Sequence, residues 1–251
     1  MYWFPDDLKT EMDGQTKVPP RPASTGFTLF ELAVVLLVVT LLLGSILVPL
    51  SAQVQQRNIA QTQRILEETR DSLIGYAMIH GRLPRPANSA TDGAERDVAC
   101  ARDADCTGFV PWAALGTSQV DAWGKILRYS VTPAFTVKGA FSLDTQGDKT
   151  VRTRDGSGAP TWLVRSLPVP AVIFSQGVNN FGMTQDGVVL RNGSTANFDE
   201  IDNEYNDGSR PFWARPTASN PGGPGGDFDD QLVWVPTGLL FARMVQAGQL
   251  P

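Results

Sequence analysis

The hydrophobic pattern changes period twice along the chain. From Leu32 to Leu50 the sequence LAVVLLVVTLLLGSILVPL carries no charge, and extending it back to Phe27 gives 24 residues with one acid, Glu31. A helix buried in a protein core usually keeps a polar face, and this stretch keeps none, so it reads as a membrane-spanning helix of about 20 residues. A secretory signal fits less well, because the run is too long and Ser51-Ala52-Gln53 makes a poor cleavage site. Gly44 and Pro49 fall inside the run, and proline removes a helical hydrogen bond, so a kink or a loosened turn is expected there. After Pro49 the period becomes that of an amphipathic helix, with Ile59, Leu66 and Leu73 seven residues apart and Ile65, Ile74 and Ala77 widening the stripe. Gly81 and Pro84 predict its end near His80.

Beyond residue 81 the chain breaks into short apolar runs between turn signals. Strands are expected at 125–131, 140–144, 170–176, 187–191 and 231–235, with a short closing helix from Thr237, a candidate N-cap, to Gly248. Trp112, Trp123, Trp162, Trp213 and Trp234 scatter among these runs as candidate core anchors. The segments VPWAALG and DAWGK read as a turn-rich cover over the helix stripe, and 216–226 (PTASNPGGPGG) as an exposed loop. The fold class expected is α+β: a long N-terminal helix, half transmembrane, packed on an antiparallel β-sheet head.

Composition alters this picture in two places. The formal net charge of −5 argues against a broadly basic nucleic-acid surface, and no nucleic-acid partner is expected. Residues 1–26 are polar, and Pro19, Pro20 and Pro22 oppose regular structure there, with Lys17 and Arg21 beside the apolar run. Two bases bias the N-terminus modestly toward the cytoplasmic side.

At the junction stands Gly26-Phe27-Thr28-Leu29-Phe30-Glu31. A glycine, then Phe, then an acid four residues on, leading straight into an apolar helix, resembles the type IV pilin superfamily of pilins, minor pilins and type II secretion pseudopilins. Several head segments, among them VPWAALG, DAWGKILRYSV and FDDQLVWV, look like a pilin-like or pseudopilin subgroup. The resemblance implies a pilin-like fold of four segments: a leader (1–26), a transmembrane half-helix (27–50), an amphipathic half-helix (51–80) and a periplasmic head (81–251). It implies cutting between Gly26 and Phe27 by prepilin peptidase, N-methylation of Phe27, and residence in the inner membrane before assembly with other pilin or pseudopilin subunits. Glu31 would then neutralise the free Phe27 amine of a neighbouring subunit; snorkelling to the interface is the plain alternative.

On the periplasmic side, Cys100 and Cys106 are expected to form a disulfide, with two reduced thiols as the alternative. Asp199, Asp202, Glu204, Asn206 and Asp207 crowd one loop, and Asp227, Asp229 and Asp230 a second. Some pseudopilins bind calcium in their heads, so Asp199, Asp202, Glu204 and Asp207 stand as a calcium set against the simpler reading of solvated acidic turns. No other cofactor is expected. The single histidine, His80, reads as a helix-end residue, and no nucleophile–base pair or phosphate-binding glycine motif is present, so catalysis is not expected. A membrane-anchored periplasmic enzyme or binding module with an uncleaved anchor remains the competing class, since carboxylate-only hydrolysis leaves no sequence mark.

Overall fold

A computed structural model describes residues 26–251, apart from Asn180 and from the side chains of 43–50. Of the leader expected at 1–26, residues 1–25 lie outside the described residues, and the kink expected at Gly44 and Pro49 falls where side chains are not described. The chain divides into two units, one ending at Leu50 and one running Ser51–Pro251. Helix α1, Leu29–His80, is assigned across the boundary between them.

In the first unit the apolar side chains have no cover among the described residues. Val35, Leu36, Leu37, Val38 and Val39 are all 42–60% exposed. Five consecutive positions at about 100° per residue pass all the way round a helix, so no face is shielded by the described residues.

In the second unit α1 buries Leu66, Leu73, Ile74 and Ala77, the stripe read from the sequence. They pack with Leu127, Tyr129, Val131, Ile173, Val233 and Val235, which come from or flank a four-stranded antiparallel sheet. Its order is β1 (Thr107–Phe109), β2 (Arg128–Val131), β5 (Ala171–Ser175), β9 (Gln231–Val235). Helix α4, Thr237–Gln246, adds Leu240 and Met244 to the same core. All five residues of β5 are buried because both its faces are covered: Ala171 and Ile173 face the α1 core, Val172 and Phe174 a second one. That second core is closed by Val151, Val169 and Phe212 on or beside a three-stranded sheet, β4 (Pro160–Val169), β3 (Lys149–Arg154), β8 (Phe212–Trp213). Burial on two faces accounts for the unbroken apolar run AVIF where a one-faced strand would alternate. Strands β6 (Gly182–Met183) and β7 (Val189–Leu190) form a separate two-stranded sheet. Short helices α2 (Trp112–Leu115) and α3 (Phe198–Glu204) and a 3-10 turn at Pro133–Thr136 complete the elements among the described residues.

The fold class is α+β, but the finer expectation of a half-transmembrane helix on one antiparallel sheet is overturned. Among the described residues no helix is long and apolar enough to cross a membrane. The sheet is not single either. Among the described residues three sheets form, and β3 pairs with β8 in parallel.

Strand expectations met a mixed outcome. β9 matches 231–235 and β5 lies within 170–176, whereas 140–144 forms no strand. β3 and β4 lie where none was expected, because Lys149–Arg154 alternates basic side chains with small ones and buries one edge only in the tertiary fold. The N-cap of α4 is Pro236 rather than Thr237, and no side chain caps it. The tryptophans contribute less core than expected. Tyr129, Phe135, Phe174, Phe212 and Phe228 are the large aromatic side chains fully inside, while Trp162 lies between Arg152 and Arg165, whose guanidinium carbons are 4.1 and 4.9 Å from its ring centre.

Candidate functional site

Two places gather the residues singled out by sequence. At the start of the described chain, nothing among the described residues comes within 4 Å of a Cβ built on Gly26, and Phe27 is 84% exposed. The Thr28 amide and Oγ1 donate to Glu31 Oε2 at 2.9 and 3.0 Å, and the Glu31 amide donates back to Thr28 Oγ1 at 3.2 Å. This is a capping box, Thr-x-x-Glu, in which the N-cap hydroxyl and the carboxylate three residues on satisfy each other's backbone. The signal T28-L-F-E31 lies open in the sequence but is masked by the more conspicuous Gly-Phe…Glu pattern. Within the described residues, both of these donors to Glu31 are uncharged.

The second place is in the head, where the acidic residues sort differently from the expectation. Asp199, buried on α3, receives Arg154 Nη2 at 2.6 Å on Oδ1, and Arg154 Nε and Arg215 Nε at 2.8 and 2.7 Å on Oδ2. Two guanidiniums occupy both its oxygens, which leaves little for a metal. Asp202 is half exposed and accepts Trp213 Nε1 at 3.1 Å. Glu204 accepts Gln176 Nε2 and lies 3.5 Å from Arg128 Nη1. Asp207 caps its own turn by accepting the Ser209 amide at 3.1 Å and Ser209 Oγ at 2.6 Å. Asn206 Oδ1 accepts the Gly208 amide, at 2.9 Å. The calcium set proposed from sequence is therefore dispersed into four separate structural roles.

What the fold brings together instead is Glu200, Asp229 and Asp230, each offering a carboxylate oxygen within 4.8 Å of the others. Glu200 comes from α3, and the two aspartates from the loop entering β9. Glu200 Oε1 accepts the Asp229 amide at 2.8 Å, and its Oε2 accepts Asn197 Nδ2 at 2.5 Å. Asp230 Oδ2 accepts Asn203 Nδ2 at 2.8 Å, and Asp229 Oδ2 accepts the Asn179 amide at 2.9 Å. Asp229 Oδ1 is buried without a hydrogen-bond partner. Gly177 stands against it at φ +57°, where a Cβ would lie 1.9 Å from that oxygen, so only glycine leaves room for the carboxylate. Burial first, and the charge of Glu200 second, push the Asp229 carboxyl up to about 7 and that of Asp230 well above the carboxylate range. Sequence proximity had offered Asp229 and Asp230 but not Glu200, because the separation of 29 residues is closed only by the packing of α3 on the β9 entry loop.

The remaining candidates are structural. Cys100 and Cys106 form a disulfide with their Cα atoms 5.2 Å apart. His80 stacks on Tyr76 at a ring separation of 3.8 Å, and its Nδ1 lies 3.0 Å from the Tyr76 carbonyl oxygen, a helix-end role. The Ala122 amide of the DAWGK segment donates to Thr62 Oγ1 at 3.1 Å, which holds that turn against α1.

Compared with known proteins, the chain matches no family model, no curated protein and no solved structure. Function must be read from the residues themselves.

Proposed function

We propose that the chain is a structural subunit, a minor pilin or pseudopilin, of a type IV pilus or type II secretion filament. The observation that carries this reading is a single acid, Glu31, in the segment 27–42, whose apolar side chains are exposed all round among the described residues, directly behind the Gly26-Phe27 bond. Exposed apolar surface of that extent is unstable in water, at roughly 25 cal/mol per Å², until something apolar covers it. In a filament, the same segments of neighbouring subunits cover one another.

Prepilin peptidase, acting at the inner membrane, cuts after Gly26 and frees the Phe27 amine, which is then N-methylated. Glu31 of an adjacent subunit accepts that ammonium in place of the uncharged donors it uses within its own chain. In apolar surroundings this pair offsets the desolvation of the carboxylate and sets the axial register of one subunit on the next. An amine that exists only after the cut makes processing a condition of assembly. The head, with its exposed strand β4, faces outward for contacts with other subunits.

The test is to express the chain with and without prepilin peptidase and measure the N-terminus by mass spectrometry. Phe27 as the new N-terminus, in the peptidase-positive cells only, supports the proposal; an intact Met1 in both defeats it. Glu31→Ala should leave cleavage intact while abolishing recovery in sheared filaments.

A further inference from the structure

We propose that the outer edge of β4, with Arg152 and Arg165 held on Trp162 beside it, docks an extended acidic segment of a partner protein as an added strand. β4 is the end strand of its sheet, and among the described residues only β3 pairs with it. The backbone of 161–167 makes no hydrogen bond outside that pairing among the described residues. An unpaired row of N–H and C=O groups is a template for another strand.

Proline often blunts such an edge, but here Pro160 and Pro168 stand at the two ends of the strand and leave 161–167 clear. After Val164 the strand bulges, because residues 165–168 fall between the pairs Val151–Val164 and Lys149–Val169. Bulges re-aim side chains, and Arg165 and Leu167 are both exposed on this one. Alongside the edge runs an open groove of about 460 Å3, walled by Leu163, Leu167, Trp234 and Pro236. Alternate side chains of an added strand could lie in it.

The charges decide the chemistry of the occupant. The guanidinium carbons of Arg152 and Arg165 are 4.1 and 4.9 Å from the Trp162 ring centre. Two like charges are thereby held within about 10 Å of each other, the Debye length at about 0.1 M salt. Neither arginine makes a hydrogen bond or an ion pair among the described residues, and Arg152 Nε is buried without an acceptor. The acids close by are engaged elsewhere. Asp202 and Arg210 line the same small hollow as Arg152, but Asp202 accepts Trp213 Nε1 at 3.1 Å and lies 3.8 Å from Arg210 Nη1. Asp155, in the turn between β3 and β4, accepts the amides of Ser157 and Ala159 at 2.9 and 3.0 Å.

A guanidinium laid on a ring keeps its N–H groups in its own plane, free to fork a carboxylate. Two such groups beside a strand edge select an acidic segment and repel a basic one. A nucleic acid fits less well: its affinity rests on many phosphate contacts, the chain's net charge of −5 repels a long polyanion, and a polynucleotide makes no use of a strand edge. The site stands whether or not the chain assembles into a filament.

The experiment selects displayed random decapeptides on the full chain in detergent, with the Arg152→Glu/Arg165→Glu double variant as counter-screen. Enriched peptides should alternate Asp or Glu with apolar residues and be poor in proline. The tightest of them is then synthesised and its Kd measured by fluorescence anisotropy. Arg152→Ala and Arg165→Ala should each weaken it about tenfold, as expected for the loss of one charge-assisted pair. Arg243→Ala, on α4, should change nothing. Methylating alternate backbone amides of the peptide should abolish binding, since an added strand needs those donors. Thermal melts of each variant separate lost docking from lost folding. No enrichment over the counter-screen overturns the proposal, as do selected peptides without acids, binding that survives both alanine substitutions, or binding indifferent to amide methylation. Tighter binding of an oligothymidylate than of any selected peptide overturns it too, by assigning the arginines to phosphate. None of these outcomes bears on the filament reading, which is scored by cleavage and incorporation alone.

Discussion

The segment 27–42 and the head invert each other's normal arrangement. In the first, leucines and valines stand exposed on every side of a helix. In the second, three carboxylates lie inside a folded core. The apolar side chains have no cover among the described residues, whereas the carboxylates draw on amides of Asn179, Asn197, Asn203 and Asp229 and on the charge of Lys125, all within the head. Apolar surface is satisfied by more apolar surface from another molecule. A region of ordinary packing, such as β5 between its two cores, makes no such demand because every side chain there already has its partners.

Substitutions can break this comparison, and the largest effect should come from the ordinary core. Phe174→Ala, deep between β5 and the second sheet, should lower head stability by about 3–5 kcal/mol, through lost transfer energy and the cavity left behind. Leu37→Ala, equally apolar but 60% exposed, should leave the chemical denaturation of the head unchanged while reducing recovery in filaments. Equal loss of head stability from both would show that the two regions do not differ in the way described.

Next in size is Asp199→Asn, which leaves Arg154 and Arg215 buried with no counter-ion, a loss of about 3–5 kcal/mol by denaturant unfolding. A loss no larger than that of an exposed acid such as Asp207→Asn would mean that Asp199 is not the anchor of those two arginines. Reduction of Cys100–Cys106 should cost about 2 kcal/mol, because the closed loop is short and little chain entropy is recovered. A melt with and without dithiothreitol measures it.

The smallest effect concerns Glu95, which binds Arg82 and accepts Tyr76 Oη at 2.6 Å and the Arg85 amide at 2.9 Å. Burial alone would raise its carboxyl, but the hydrogen bonds from Arg82, Tyr76 and Arg85 outweigh it and hold the group below its usual 4.5. A carboxyl held lower in the folded than in the unfolded chain gives stability that is complete above about 4.5 and is lost as pH falls through the folded value. Melts between about pH 6 and pH 3 should therefore show a step that Glu95→Gln removes, and an unchanged step in that variant would assign it to another group.

Legibility along the chain followed the range of the interaction that decides each element. The stripe Leu66, Leu73, Ala77 could be read directly, because three to four residues per turn place those positions on one side of any helix. β5 and β9 could be read because an apolar run between turn signals has few other uses. β3 and β4 could not, since Lys149, Arg152 and Arg154 look solvated until one learns that Lys149 Nζ is 2.7 Å from Asp103 Oδ1 in a buried site. Counting acids along the segment put Asp199, Asp202, Glu204 and Asp207 together, yet Asp207 lies beyond the end of α3 and each of the four found its own partner in the packed head.

What the linear chain determined by itself is whatever depends on nearest neighbours: the periodicity of α1, the apolar run behind Gly26-Phe27, and a cysteine pair six residues apart. Tertiary structure alone decided that three sheets form rather than one, and that Glu200 joins Asp229 and Asp230. The reason is physical: a side chain's charge state and partners are set by what surrounds it in space, and across 29 residues the chain imposes no geometry until the core packs.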